Sequence, residues 1–127
     1  MEITVVKEFT FDSAHFLPGY DGPCAELHGH TYRLQVGFKG TPNPETGMVM
    51  DFGRFKKIVN ECIVFHLDHR CLNTVDYKGF PWEMPTAENM VIWMRKEMLG
   101  QMSIQQSFYL CYIRLWETPT SYAEWRA

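Results

Sequence analysis

From His28 to Lys39 the chain alternates as a half-buried strand does. His28, His30, Tyr32, Leu34, Val36 and Phe38 share one face, and Thr31, Arg33, Gln35 and Lys39 the other. An earlier strand is predicted over about residues 2–14, where Val, Ile, Thr and Phe dominate and Phe9, Phe11, Ser13 and His15 form one odd-numbered series. A third is predicted over about 108–117, with Tyr109, Cys111, Ile113 and Leu115 on one face and Phe108, Leu110, Tyr112, Arg114 and Trp116 on the other. A short fourth, about 122–126, follows the break at Thr118-Pro119-Thr120.

Between the strand pairs the period changes. Phe52, Phe55, Ile58, Val59, Cys62, Ile63 and His66 recur at helical spacing, which predicts a helix from about Gly53 to Leu67-Asp68-His69. Thr86 is a candidate N-cap for a second helix with Glu88 in its first turn; Met90, Trp93, Met94 and Met98 give it an apolar stripe and Gly100 stops it. The order β-β-α-α-β-β predicts an α+β fold, a four-stranded antiparallel sheet with two helices on one face, in a single domain spanning 1–127. The other face and the sheet edges then lack cover, so self-association is expected.

Composition narrows the function. A chain of 127 residues builds an apolar core without a metal scaffold, so a metal here would be functional. The net charge of −3 comes with no run of Lys or Arg, which argues against a nucleic-acid or membrane partner and for a small-molecule ligand. The start, Met1-Glu2-Ile3-Thr4-Val5, reads as strand and not as a secretory signal, and no stretch is long and apolar enough to span a bilayer. Cys24, Cys62, Cys71 and Cys111 form no Cys-x-x-Cys pair, which fits a reducing cytoplasm. Cys62 and Cys111 lie in apolar segments and read as inert core thiols, whereas Cys24 sits in the loop Pro18-Gly19-Tyr20-Asp21-Gly22-Pro23 that leads into Ala25-Glu26-Leu27-His28-Gly29-His30.

The candidate chemistry gathers at that loop. His28 and His30 point the same way on one strand and His15 ends its predicted neighbour, a set that fits Zn²⁺ with three nitrogens and an open fourth position; the blander alternative is three ordinary hydrogen-bonded imidazoles. Cys24 beside a cation can act as a general acid or base, or can be a plain loop thiol. Asp68 can orient His69 for proton relay, or the two can be a helix-end polar pair. Glu117, among aromatics, suits bidentate recognition of a guanidine-like ring edge, or is a strand-end charge. Glu26 is a second acid in the Cys24 loop or simply a solvated one.

Five ordered stretches resemble one family: Phe11-Asp12-Ser13-Ala14-His15-Phe16-Leu17, Cys24-Ala25-Glu26-Leu27-His28-Gly29-His30-Thr31-Tyr32, Leu67-Asp68-His69-Arg70-Cys71-Leu72-Asn73, Pro85-Thr86-Ala87-Glu88-Asn89 and Glu117-Thr118-Pro119-Thr120. They are similar to the 6-pyruvoyltetrahydropterin synthases, and more narrowly to the 6-carboxy-5,6,7,8-tetrahydropterin synthases of queuosine biosynthesis. The resemblance implies a tunnelling fold, with trimers closing their sheets into a barrel and two trimers stacking into a hexamer. It implies zinc on His15, His28 and His30, proton transfer by Cys24 with Asp68 and His69, and a pterin anchor at Glu117, with Thr86 and Glu88 contributed to the pterin pocket from another subunit. The implied substrate is 7,8-dihydroneopterin triphosphate, converted to a 6-carboxypterin with loss of triphosphate and acetaldehyde. Three residues between Cys24 and His28 resemble the carboxy-forming branch. The pyruvoyl-forming reaction, the folate-type cleavage to 6-hydroxymethyl-dihydropterin suggested by Glu26, and an inactive zinc and pterin module are the alternatives. Arg54, Lys56 and Arg70 are undiscriminated candidates for the triphosphate.

Overall fold

The structure is a computed structural model that describes residues 1–102 and 106–127. Its sheet is built from β1 (Ile3–His15), β2 (His28–Gly40), β3 (Arg70–Cys71), β4 (Phe108–Thr118) and β5 (Ser121–Arg126), in the order β3-β1-β2-β4-β5. One helix, α1, runs over residues 52–67, and the other, α2, is Ala87–Gln101. No helix of the described residues is long and apolar enough to cross a membrane.

The α+β architecture follows the hydrophobic pattern, with one more strand than expected. β3 is two residues long and joins β1 in parallel through Ser13↔Arg70 and Ala14↔Cys71. A strand that short has no periodicity to read. The long hairpin pairs β1 and β2 antiparallel from Ile3↔Gly40 to His15↔His28, in unbroken register. That register puts Phe9 beside Leu34 and Phe11 beside Tyr32 on the face the helices cover, where all four are buried. A slip of one residue would turn this set, and the histidines with it, to the opposite face.

The alternation predicted for β4 fails at one point. Gly37 pairs with Tyr112 but Phe38 pairs with Leu110, so Cys111 is an extra residue in a bulge. The bulge switches faces: Phe108 and Leu110 join Ile113 and Leu115 in the core, while Tyr109 turns outward and Cys111 is only half-buried. Gly37 is needed there because a Cβ would stand 2.8 Å from the Tyr112 ring.

Asp51 caps α1, its carboxylate accepting from the Arg54 amide at 2.8 Å. The helix is α-helical over Phe52–Val59, π-helical over Asn60–Val64 and α-helical again over Phe65–Leu67. The widened turns rotate the later residues, so Val64 and Leu67 are buried where the regular spacing would have buried His66. Cys62 is in the core, and its thiol is pushed up to about 11 by burial and then by Glu97 and Glu61, as suits an inert sulfur. Thr86 caps α2 by accepting from the Asn89 amide at 3.2 Å, and Met90, Met94 and Met98 repeat at four-residue intervals against the sheet.

The uncovered sheet face is laced by cations on aromatic rings. Arg33 lies 3.8 Å from the Trp116 ring centroid and Arg114 lies 4.4 Å from that of Tyr122, while Glu124 accepts from both Arg114 and Arg126. The free edges are β5 on one side and most of β1 on the other.

Candidate active site

The hairpin register brings three imidazoles together at the end of the core. His15 sits opposite His28 and Ser13 opposite His30, and the ring centroids are separated by 4.6 Å (His15–His28), 5.1 Å (His15–His30) and 4.8 Å (His28–His30). His15 Nδ1 donates to the Pro85 carbonyl at 2.9 Å and His28 Nδ1 donates to the Glu26 carbonyl at 2.7 Å. A carbonyl only accepts, so both rings carry their proton on Nδ1 and leave Nε2 as a lone-pair donor. His15 Nε2 and His30 Nε2 are buried without a hydrogen-bond partner.

Glu117, at the end of β4, faces them. Its Oε1 lies 2.9 Å from His30 Nε2 and 3.5 Å from His15 Nε2, and the donor atoms of the three histidines and Glu117 all lie within 4.8 Å of one another. Neutral imidazole nitrogens with a carboxylate oxygen form a donor set that zinc favours, and two orphaned buried nitrogens are what a cation would satisfy. The residues fit a zinc ion. Burial works against a charged His15, but Glu117 and the Pro85 carbonyl outweigh it and raise its pKa; burial dominates at His30 and lowers it. The contact with His15, ahead of the charges around it, holds Glu117 below the usual carboxylate range. Beneath the rings Tyr32 is fully buried, stacked on Phe11 at 5.0 Å, with its hydroxyl 3.4 Å from His15 Nδ1.

A cavity of about 390 Å³ opens from Glu117 and is lined also by Cys24, Thr86, Glu88, Tyr20 and Met84. Cys24 is presented by a closed loop: the Leu17 amide donates to the Cys24 carbonyl at 2.8 Å, and Gly19 and Gly22 take left-handed φ values of 77° and 146° to make the turns. The resemblance implies that Thr86 and Glu88 reach the pterin pocket from another subunit. The chain's own pair lines this cavity, because Pro85 is tied to His15 and α2 starts at the next residue but one. The Glu26 side chain is exposed, so in this geometry Glu26 serves His28 through its carbonyl.

Asp68 and His69 lie elsewhere. They follow the last turn of α1; His69 lines a second cavity of about 520 Å³ with Asp12, Thr31, Gly29, Arg70 and His30, and Asp68 pairs with His69 beside it. His69 is 80% exposed, with Nδ1 3.0 Å from Asp68 Oδ1. Its φ of 60° is rare for a residue with a side chain and costs about 1–2 kcal/mol. The Asp12 amide, ahead of the His69 ring, holds Asp68 below the usual carboxylate range. The structure thus groups His15, His28, His30, Glu117, Cys24, Thr86 and Glu88, and leaves Asp68 and His69 off the Cys24 cavity within one chain, with His30 the residue that also reaches the cavity of His69. Arg70 accompanies His69, while Arg54 and Lys56 are exposed on α1 and line neither cavity. The contacts of the Pro85 carbonyl and the Tyr32 hydroxyl with His15 have no signature in the sequence: a backbone acceptor belongs to every residue, and Tyr32 reads as one more member of the buried face of its strand.

A family model of 6-pyruvoyl tetrahydropterin synthase matches residues 4–127. The chain belongs to that family. It is accordingly an enzyme, a lyase by family. A Haemophilus influenzae relative named 6-carboxy-5,6,7,8-tetrahydropterin synthase is 37% identical over 143 aligned positions, which span 96% of this chain and 97% of the relative. A Synechocystis relative of the same name is 42% identical over 94 positions, 71% of this chain and 70% of the relative. Among solved structures, 6-pyruvoyl tetrahydropterin synthase from Caenorhabditis elegans superposes with a TM-score of 0.85 at 27% identity, covering 100% of this chain and 96% of that one. The Plasmodium vivax enzyme gives 0.75 at 18% identity, covering 100% and 98%, and speaks to the fold alone. These neighbours share the tunnelling fold, which accounts for the sheet with both helices on one face.

Proposed function

We propose that this chain, acting over residues 1–127 as one tunnelling-fold unit, is a 6-carboxy-5,6,7,8-tetrahydropterin synthase of 7-deazapurine (queuosine) biosynthesis. It takes 7,8-dihydroneopterin triphosphate and one water to 6-carboxy-5,6,7,8-tetrahydropterin, acetaldehyde and triphosphate. The observation that carries this reading is the shared cavity of Cys24 and Glu117 beside three imidazoles whose Nε2 atoms are turned inward.

His15, His28 and His30 would hold zinc, fixed by the Pro85 and Glu26 carbonyls. Zinc supplies Lewis acidity, polarising oxygens of the substrate's hydroxylated side chain and lowering their pKa. Glu117 accepts from the amino-pyrimidine edge of the pterin, a geometry a carboxylate meets with two parallel N–H···O bonds. Thr86 and Glu88 line the remaining wall. Cys24 moves a proton at the side-chain carbon next to the polarised oxygen. Asp68 orients His69 as the second proton carrier, and because neither lines the cavity of the chain's own Cys24, they serve the cavity of a neighbouring copy. The redox change is internal to the substrate, so no nicotinamide is required.

That division of labour needs assembly. The free edges of β1 and β5 and the laced outer face support a closed barrel of three chains, two of which stack into a hexamer in the cytoplasm. Light scattering is expected to give six times the 14.9 kDa chain mass; a monodisperse monomer at working concentration would remove the composite site. The activity itself is tested by incubation with dihydroneopterin triphosphate, mass spectrometry and an acetaldehyde assay. A carboxypterin with acetaldehyde is the expected result. A pyruvoyl product or hydroxymethyl-dihydropterin would reassign the chain within the family, and no product at all would favour an inactive pterin-binding module.

A further inference from the structure

Strand β1 serves both cavities. His15 faces the imidazole cluster, and the residues just before it stitch the Leu67-Asp68-His69-Arg70 turn to the sheet. Ser13 and His15 are the two polar residues buried among the described residues. Ser13 Oγ donates to the Leu67 carbonyl at 2.6 Å, at the end of α1, where a carbonyl has no helical partner. The Asp12 amide donates to Asp68 Oδ1 at 3.0 Å, and the His69 amide donates to the Asp12 carbonyl at 2.7 Å. Arg70 then pairs with Ser13 in the parallel β3 bridge. Each of residues 67–70 is therefore held by Asp12 or Ser13, and Asp12 is itself held by Thr31 Oγ1 at 2.6 Å.

This clasp explains the backbone of His69. A left-handed φ of 60° persists because its amide and both flanking residues are fixed to β1, and it places ring Nδ1 3.0 Å from Asp68 Oδ1 with the ring in solvent. Of the clasp contacts, the Ser13 hydroxyl is the one made by a buried side chain, and so the one a substitution can remove without touching the main chain.

We propose that Ser13 is a positioning residue for proton transfer: through the Leu67 carbonyl it fixes the turn that aims the Asp68–His69 pair. The inference rests on the proton-transfer reading given above. Its test compares the zinc-loaded enzyme with Ser13→Ala and Ser13→Thr. Metal content and KM are expected to stay at the parent level in Ser13→Ala while kcat falls roughly tenfold to a hundredfold, as sub-ångström misplacement of a catalytic group does. The ¹⁵N shifts of the His69 ring, assigned by their loss in His69→Ala, are expected to move in Ser13→Ala and return in Ser13→Thr, which keeps the hydroxyl. Should Ser13→Ala fail to fold, Ser13→Cys keeps the volume with a weak donor and is read the same way.

Parent-like kcat and unmoved His69 shifts in Ser13→Ala would overturn the proposal, and so would a loss of kcat that Ser13→Thr shares. The ring shifts need no turnover. If the parent enzyme itself makes no product, the functional reading fails, and the His69 signal still decides whether Ser13 sets the ring.

Discussion

Replacing His28 with Ala is expected to strip the enzyme of zinc and of activity together. His28 is the informative choice among the three imidazoles. His15 is 1% exposed and also anchors Pro85, so its loss would disturb the core and the start of α2. His28 is half-buried at the mouth of the hairpin and its outer contact is a single carbonyl, Glu26, in a loop. Apparent zinc affinities worth about 10–16 kcal/mol, shared over four ligands, leave about 3 kcal/mol for each, or roughly a hundredfold or more in affinity per imidazole lost. Elemental analysis after metal-replete purification should find zinc in the parent and little in His28→Ala, with turnover at background. Calorimetry gives a second reading. A chelator should lower the Tm of the parent and leave that of His28→Ala unchanged, because a metal that binds the folded state stabilises it by mass action. A parent free of zinc after such purification would make the histidines structural.

The meeting of these rings was legible in the sequence because nothing interrupts the alternation of β1 and β2. With period two on both strands, pairing His15 with His28 also brings His30 to the same face. The N-cap at Thr86 was legible for a similar reason: the side chain that caps is the residue type that the pattern demands. The rest was hidden by features with no local signature. β3 forms because Ser13 and Asp12 hold the chain against β1, a tertiary cause acting on two residues. The bulge at Cys111 and the π-helical turns at Asn60–Val64 each add a residue to a regular repeat, which leaves composition unchanged and moves every later side chain to a different face.

The site shows the same division. Side-chain donors carry their identity in the sequence, so His15, His28, His30 and Glu117 were visible as candidates. The carbonyls of Pro85 and Glu26 that set the tautomers of His15 and His28 belong to groups every residue possesses. That Asp68 and His69 do not line the cavity of Cys24 depends on how α1 ends, and the irregular turn there is built from long-range contacts. Sequence order placed all three in one mechanism. Under the proposed function, that mechanism becomes a property of two chains.

Cys24→Ala should separate chemistry from binding. The proposed zinc ligands are His15, His28 and His30, and Cys24 is not in the cluster of groups placed to hold a metal, so zinc content is expected to stay at the parent value. The loop should also survive, since it is closed by the Cys24 carbonyl accepting from the Leu17 amide, a contact Ala keeps. What disappears is one thiol on the wall of the cavity that Glu117 opens. A positioned general acid or base contributes typically about 10²–10⁴-fold, so turnover should fall by about that factor while pterin binding, read by fluorescence, persists. Unchanged turnover would remove Cys24 from the proton transfer. Loss of zinc would instead make its sulfur a ligand and redraw the metal site. Retained zinc and pterin with no turnover, in a variant lacking only one sulfur, is the result that distinguishes a working enzyme from a module that merely holds its ligand.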